Sequence, residues 1–272
     1  MAFTTSNYFS NSLVGQPGLG TDINIYDVHT SPKYAVGFGF TRADGNKFRY
    51  THFGAMTSQT GLVMANDFSG STAPASGVSV TAVDPGSTTA LAGELAKSNT
   101  KGSRFVQLTI TASAQQFNGG YLIVTSGTGY GFTYRIKANT VSWTPASTSS
   151  TFEIDGTLQA ALSGTASAAT VVGCQYSNLK TCDTTDFTPV GVSCACVSAD
   201  GYGWIQTHGV VGIVTAAAVP VKGIVVASTD TAGTVATLQV NTATALSAGP
   251  IIGNVIAPAA VANLSTIYLT LE

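Results

Sequence analysis

Charge is what this chain has least of. Lys and Arg number 11 and Asp and Glu 13 in 272 residues, so 9% of the chain is ionisable in this sense, against about 25% in an average soluble domain. The net charge is −2. No basic field is present to hold phosphates by counterion release, so no nucleic-acid partner is expected. Histidine is scarce as well, at three residues, His29, His52 and His208. The opening Met1-Ala2-Phe3-Thr4-Thr5 lacks the positive and apolar regions of a secretory leader, so no export signal is expected there. Long apolar runs are also missing. The most apolar stretch, 209–227, is broken by Pro220 and Lys222, whereas a membrane span needs about 20 nearly uninterrupted apolar residues. Two strands joined by a turn are expected there, and no membrane partner. Finally, G-x-S-x-G, G-x-x-x-x-G-K-[ST] and H-E-x-x-H do not occur, which removes the commonest signatures of hydrolases, nucleotide binders and zinc peptidases.

What remains is β-forming material. Hydrophobic residues make up 44% of the chain and 30 residues are Gly, enough apolar mass for a core. About one residue in seven is Thr, a β-branched type at home in strands. Four cysteines, Cys174, Cys182, Cys194 and Cys196, are spaced C-x7-C-x11-C-x-C. Zinc knuckles use shorter C-x2-4-C pairs, so no metal is expected. Cys194 and Cys196 would share a strand face and be poorly placed to bond each other. One bridge, such as Cys174 to Cys182 across a hairpin-like loop, is an alternative, and reduced, partly buried thiols of a protein made in a cytosol are the favoured reading.

Residues 1–33 read as an arm, dense in Asn, Ser and Gly, with apolar anchors at Tyr8, Phe9, Leu13 and Val14. The arm is either disordered or laid over a neighbour. From Tyr34 onward the pattern is strand, turn, strand. Asp44-Gly45, Asn118-Gly119, Asp155-Gly156 and Asp200-Gly201 mark tight turns. Alternation is clear at Val36, Phe38 and Phe40, at Phe48 and Tyr50, at Tyr121 and Ile123, and at Trp204 and Gln206, the period of sandwiches and small barrels. Thr88–Ser98 reads as a short helix or as a loop with one helical turn, and Gly156–Ser163 is a second short helix candidate. An internal echo pairs FRYTHFG at 48–54 with WIQTHG at 204–209, as in two related units or by coincidence.

Candidate chemistry is thin. His52 and His208 hold equivalent places in the echo and would form a site only if the two units faced each other. Glu153 and Asp155 lie two apart on one strand face, within the span of a glycosidase carboxylate pair, but Asp155-Gly156 is already explained as a turn. Asp22 and Asp27 lack a D-x-D-x-D-G calcium loop. Gly127-Thr128-Gly129-Tyr130-Gly131 resembles a phosphate cradle only superficially, because a strand rather than a helix should follow. No catalytic residue, cofactor or metal is assigned.

Several segments, in order, resemble a family of virion structural proteins from tailed phages. They are Asp44–Tyr50 (DGNKFRY) with Gly54-Ala55 and Gly61-Leu62-Val63, then Phe117–Val124 with GTGYGFTYRI at 127–136. After these come Gly201–Gly209 (GYGWIQTHG) and a closing IYLTL at 267–271. The resemblance covers residues 40–272, and its weight lies in the order of the pieces. It implies a capsid decoration, or cement, protein. Such a protein binds the outer surface of the phage head, with the major capsid protein and other copies of itself as partners, often as a homotrimer at local three-fold positions. The Cys194–Cys196 pair and the arm have no counterpart in that pattern.

The expected fold class is all-β, with two or more small β-barrel or sandwich units and an extended N-terminal arm. The boundaries are placed at 1–33, 34–110, 111–200 and 201–272. Tyr8, Phe9, Leu13, Val14 and Trp204 are the candidate capsid or subunit contacts. Trp204, Ile205, Phe48, Tyr50, Tyr121, Ile123, Phe132 and Tyr134 are assigned to core or interface, which alternation does not distinguish. The expected function is a non-enzymatic capsid-exterior protein. A tail, fibre or adhesive β-module is the alternative, and a glycan hydrolase on a β scaffold is a third reading.

Overall fold

A computed structural model of the chain describes residues 23–55, 57–66, 75–79, 99–110, 112, 116–139, 149–162, 166–183, 188–216, 219, 223–228, 230–238, 250–260 and 263–272. The described residues form strands and no helix. In chain order the strands are β1 (Gly39–Thr41), β2 (Lys47–His52), β3 (Val63–Asn66), β4 (Ala75–Ser79), β5 (Phe105–Leu108), β6 (Tyr121–Ser126), β7 (Thr133–Asn139) and β8 (Ser150–Ile154). They continue with β9 (Ala168–Val172), β10 (Leu179–Thr181), β11 (Pro189–Ser193), β12 (Tyr202–Val214), β13 (Ile224–Ala227), β14 (Val235–Thr237), β15 (Ile251–Ala257) and β16 (Leu264–Thr270). The chain is all-β, of the sandwich or barrel-like class. It divides into two compact units, one made of residues 1–67 and 176–272 and the other of residues 68–175. This differs from the consecutive units expected from the sequence. β2 pairs along β12, so residues expected in the first and last units share one sheet.

The first unit holds a ten-stranded sheet in the order β10-β3-β11-β12-β16-β15-β13-β14, with β2 also on β12 and β1 on β2. β12 spans 13 residues and changes character halfway. From Gly203 to Thr207 both faces are buried; from His208 onward one face opens to solvent. Trp204 is 1% exposed, boxed by Phe40 (ring centroids 5.0 Å apart, 88°), Tyr50 (5.2 Å) and Tyr34 (5.4 Å). Edge-to-face pairs of this kind add to the area each ring buries. Ile23 and Ile25 belong to the same cluster, and His29 exchanges backbone hydrogen bonds with Tyr202. Of the arm expected over 1–33, the part from Ile23 onward is instead packed into its own chain, and residues 1–22 lie outside the described residues. An aliphatic core of Val63, Val192, Ile213, Val225, Ile252, Ile267 and Leu269 lies under the second half of β12.

The switch in β12 occurs at Gly209. There φ is +93°, and the Asn46 amide oxygen occupies the place a Cβ would take while accepting a hydrogen bond from Val210 N at 3.0 Å. The pairing with β2 slips between Gln206 and His208, a bulge of the kind that re-aims a strand. The stretch 209–227 contributes the end of β12 and β13 to one sheet, but β16 and β15 lie between them.

The second unit holds a six-stranded sheet, β4-β9-β6-β7-β8-β5. Val106 and Leu108 on β5 share a single cluster with Ala169 and Val171 on β9, although three strands separate them, so the sheet is curled around its core. Leu122 and Val124 point inward while Tyr121 is 49% exposed. The inward parity of β6 is thus opposite to the aromatic residue the alternation drew attention to. The helix expected over 156–163 is absent from residues 156–162. Leu158 N and Leu162 N donate instead to the carbonyls of Ser103 and Asn99, and both side chains enter the core. The helix candidate over 88–98 lies outside the described residues.

Of the four Asx-Gly turns, Asp44-Gly45 closes the β1–β2 hairpin. Gly45 has φ +85° and Asp44 has none of the positive φ a type I′ turn needs. Gly45 N donates to Arg42 O and Arg42 N to Asn46 O, a three-residue loop with a bulge. Asn118-Gly119, Asp155-Gly156 and Asp200-Gly201 lie in longer connections.

Trp204→Ala is expected to lower the free energy of unfolding by about 3–5 kcal/mol through cavity formation, read from urea denaturation. Tyr121→Ala, on the open face of β6, is expected to change it by under about 1 kcal/mol. A Trp204→Ala loss no larger than that of Tyr121→Ala would contradict the packing described.

Candidate functional site

The densest polar cluster sits where the chain end meets β2 and β12. The Glu272 carboxylate accepts from Arg49 Nε at 2.9 Å, from Tyr176 Oη at 2.7 Å and from Thr207 Oγ1 at 2.9 Å, and Arg49 Nη2 lies 2.7 Å away. The Arg49 guanidinium also donates to Gly37 O at 3.2 Å and lies over the Tyr176 ring. Gly39 makes this possible, because a Cβ there would fall 2.6 Å from Arg49 Nη1. Burial pushes the Glu272 carboxyl up, but the hydrogen bonds from Arg49 and Tyr176, the Arg49 charge and the Thr207 hydroxyl outweigh it and hold the group below the ordinary carboxylate value. Arg49 is likewise held charged, burial being outweighed by Glu272. A cleft of about 140 Å3 beside the pair is lined by Gly39, Phe40, Thr41, Lys47 and Phe48. The acid accepts from fixed donors on both oxygens, so the cluster ties strands together.

The sequence-predicted groups do not converge on a reaction. His52 lies opposite Tyr202, and His208 opposite Lys47, at the two ends of the β2–β12 ladder. Six residues of strand, roughly 20 Å, separate them. The pairing that does arise was not visible in the echo. His29 and His52 flank Tyr202 from either side, with the His52 ring 4.8 Å from that of Tyr202. Burial lowers the His52 pKa, with Asp200 opposing through its charge and a backbone hydrogen bond.

Glu153 is held by Lys137 at 2.8 Å and Arg104 at 2.6 Å, and the Lys137 hydrogen bond leads in depressing its pKa. Both cations favour its ionised form. Asp27 accepts from Asn24 Nδ2 at 2.7 Å within a turn, while Asp22 lies outside the described residues. Gly127–Gly131 forms the β6–β7 hairpin loop, with positive φ at Gly127, Gly129 and Gly131, and β7 follows as expected.

All four cysteines are free thiols. β11 ends at Ser193, so Cys194 and Cys196 lie beyond it and do not share a strand face. Cys194 is buried and desolvation pushes its thiol up to about 12, despite the opposing Arg42 charge. Cys196 is exposed, with Sγ 3.9 Å from Thr60 Oγ1. Cys174 and Cys182 are both buried. Among the described residues no group of three or more His, Cys, Asp or Glu is placed to hold a metal ion, and no helix is long and apolar enough to cross a membrane.

Of the candidate contacts, Tyr8, Phe9, Leu13 and Val14 lie outside the described residues. Trp204 is in the core of the first unit and has almost no surface to offer a partner. The exposed apolar surface lies elsewhere. In the second unit it is Tyr130 (75% exposed) and Phe132 at the Gly-rich hairpin, with Tyr121 on the outer face. In the first unit it is Tyr26 and Val28, ahead of the first strand, and a sheet face. Val210 pairs with Tyr268, Tyr268 with Asn254, and Asn254 with Ile224, so these four side chains form one row across four strands. Val210, Tyr268 and Ile224 are each more than two-fifths exposed, as is Leu264 further along β16. Alternation signalled strands here, but which parity faces outward depends on the core beneath.

No protein-family model, curated protein or solved structure matches the chain.

Glu272 carries stability that is present above the unfolded carboxyl value of about 4.3 and is lost as pH falls through its lower folded value. Glu272→Gln is expected to cost about 1–3 kcal/mol at pH 7, as for loss of charged hydrogen bonds. The gap to the wild type should close on acidification below about pH 4.3. Denaturant midpoints at neutral and acid pH measure this; a gap independent of pH would refute the assignment.

Proposed function

We propose that this chain is a non-enzymatic structural protein that works by contact, binding the exterior of a phage capsid and reinforcing the head. The observation that carries the contact part of this reading is the outward sheet face of the first unit, built from β12 after its bulge, β13, β15 and β16. Those strands contain no Lys, Arg, Asp or Glu, yet they present large apolar side chains to solvent. Such patches mark protein contact surfaces. The ordered resemblance to tailed-phage virion proteins gives the contact a setting, with the major capsid protein and other copies of this chain, as a homotrimer, for partners. Production in the host cytoplasm and a place on the capsid exterior follow from that setting. No cofactor, nucleic acid or membrane enters it.

A second reading is favoured by a different observation. Tyr130 and Phe132 stand exposed at a loop shaped by three positive-φ glycines. Exposed aromatic rings are suited to stacking on a partner, as an adhesive or tail module would require.

Immunogold labelling of intact particles separates the two. Even label over the heads is expected, and label confined to the tail would favour the adhesive module. Bare particles, with the protein only in the soluble fraction, would overturn both. Because Ile23 onward is packed into the first unit, the role of the preceding residues is tested by deleting 2–21. Head occupancy reduced at least tenfold is expected if Tyr8, Phe9, Leu13 and Val14 anchor the protein; unchanged occupancy removes them as contacts.

A further inference from the structure

We propose that the outward face formed by Val210, Tyr268, Ile224 and Leu264 is covered by a second copy of this chain. The inference rests on the reading of the protein as one that acts by contact, and it names the partner of this particular face. Side chains directly opposite in an antiparallel ladder lie on the same side of the sheet, so the register from Val210 through Tyr268 and Asn254 to Ile224 fixes a continuous row. Leu264, 54% exposed, shares the parity of Tyr268 on β16. Ile251 and Ile256, 55% and 48% exposed on β15, extend the apolar surface. At the polar beginning of this surface Tyr268 Oη lies 3.1 Å from His208 Nε2, while His208 Nδ1 is buried without a hydrogen-bond partner among the described residues.

Size and charge select the occupant. Six large side chains, each about half exposed, amount to on the order of 500 Å2, at the upper end for the largest patch of a monomer. With the intervening Asn, Thr and Gly positions the face approaches the roughly 800 Å2 that one partner gives to a stable interface. An ordinary protein surface is about 25–35% charged. Docked here, it would strip water from charges and find no Lys, Arg, Asp or Glu on these strands to pair with them, which is costly. A second copy brings a surface from a chain that is only 9% charged, and this face itself is free of such charge. Many copies can therefore pack closely without like-charge repulsion.

The test uses the purified full-length chain without capsids. Its mass is followed by light scattering up to about 100 μM, where a Kd of even about 10 μM is visible. The wild type is expected to associate into a defined oligomer. Tyr268→Lys and Leu264→Lys should each weaken that association at least tenfold while keeping the far-UV spectrum and thermal midpoint of the wild type. Tyr130→Lys, in the other unit, should leave it intact. A wild type that stays monomeric throughout, or face variants that associate as tightly as the wild type, would overturn the proposal. If the variants keep the oligomer but lose their place on particles, the capsid shell covers this face and the proposal fails. The two readings fail separately: labelled heads with a monomeric chain leave decoration standing, whereas bare particles with a face-dependent oligomer leave this contact standing.

Discussion

A β-strand must find hydrogen-bond partners along both edges or leave polar backbone unpaired, and β12 meets that demand with segments from widely separated parts of the chain. Its first half takes β2 on one side and β11 on the other; its second half takes β16. The aromatic box around Trp204 and the aliphatic core under Ile213 are both hung on this one element. The slip between Gln206 and His208, followed by the positive φ of Gly209, lets a single strand serve both. Before it, the strand is covered on two faces; after it, one face is released to solvent.

That release links fold to function. A strand covered on both faces can be apolar throughout, and Trp204 and Ile205, adjacent in sequence, are both buried. A strand covered on one face normally turns polar groups outward. Here Val210, Tyr268, Ile224 and Leu264 are turned outward instead, and no charge stands among them. The ionisable groups of the first unit are used differently: Arg49 and Glu272 are spent on each other and on Tyr176 and Thr207. In the second unit Glu153 is shared between Arg104 and Lys137, both more than half exposed, a surface cluster that contributes modestly to stability.

Much of the strand content was legible because it depends on local pattern. Phe48 and Tyr50 alternate with polar neighbours, and β2 forms there with both rings buried. The hairpin after Phe40 and the strand after the Gly127–Gly131 loop were likewise readable from turn chemistry and period. The misses share a different cause. Gly156–Leu162 has the spacing of a helix, but its amides are claimed by Asn99 and Ser103, partners more than fifty residues away. His52 and His208 look equivalent in sequence, but antiparallel pairing sends them to opposite ends of a ladder, and it is His29 that joins His52 in flanking Tyr202. The Arg49–Glu272 lock had no local signal, since 223 residues separate its partners.

By itself, then, the sequence determined an all-β chain poor in charge, with strands where apolar residues alternate and turns where Gly follows Asp or Asn. Those properties follow from steric preference and from water's exclusion of apolar surface, which act over a few residues. Tertiary structure alone decided that the first and last stretches of the chain build one unit, and that Trp204 lies inside while Val210 and Tyr268 lie outside. Period-two alternation specifies that successive side chains point to opposite faces. Which face is covered is settled only when strands distant in sequence dock and a core forms beneath one of them.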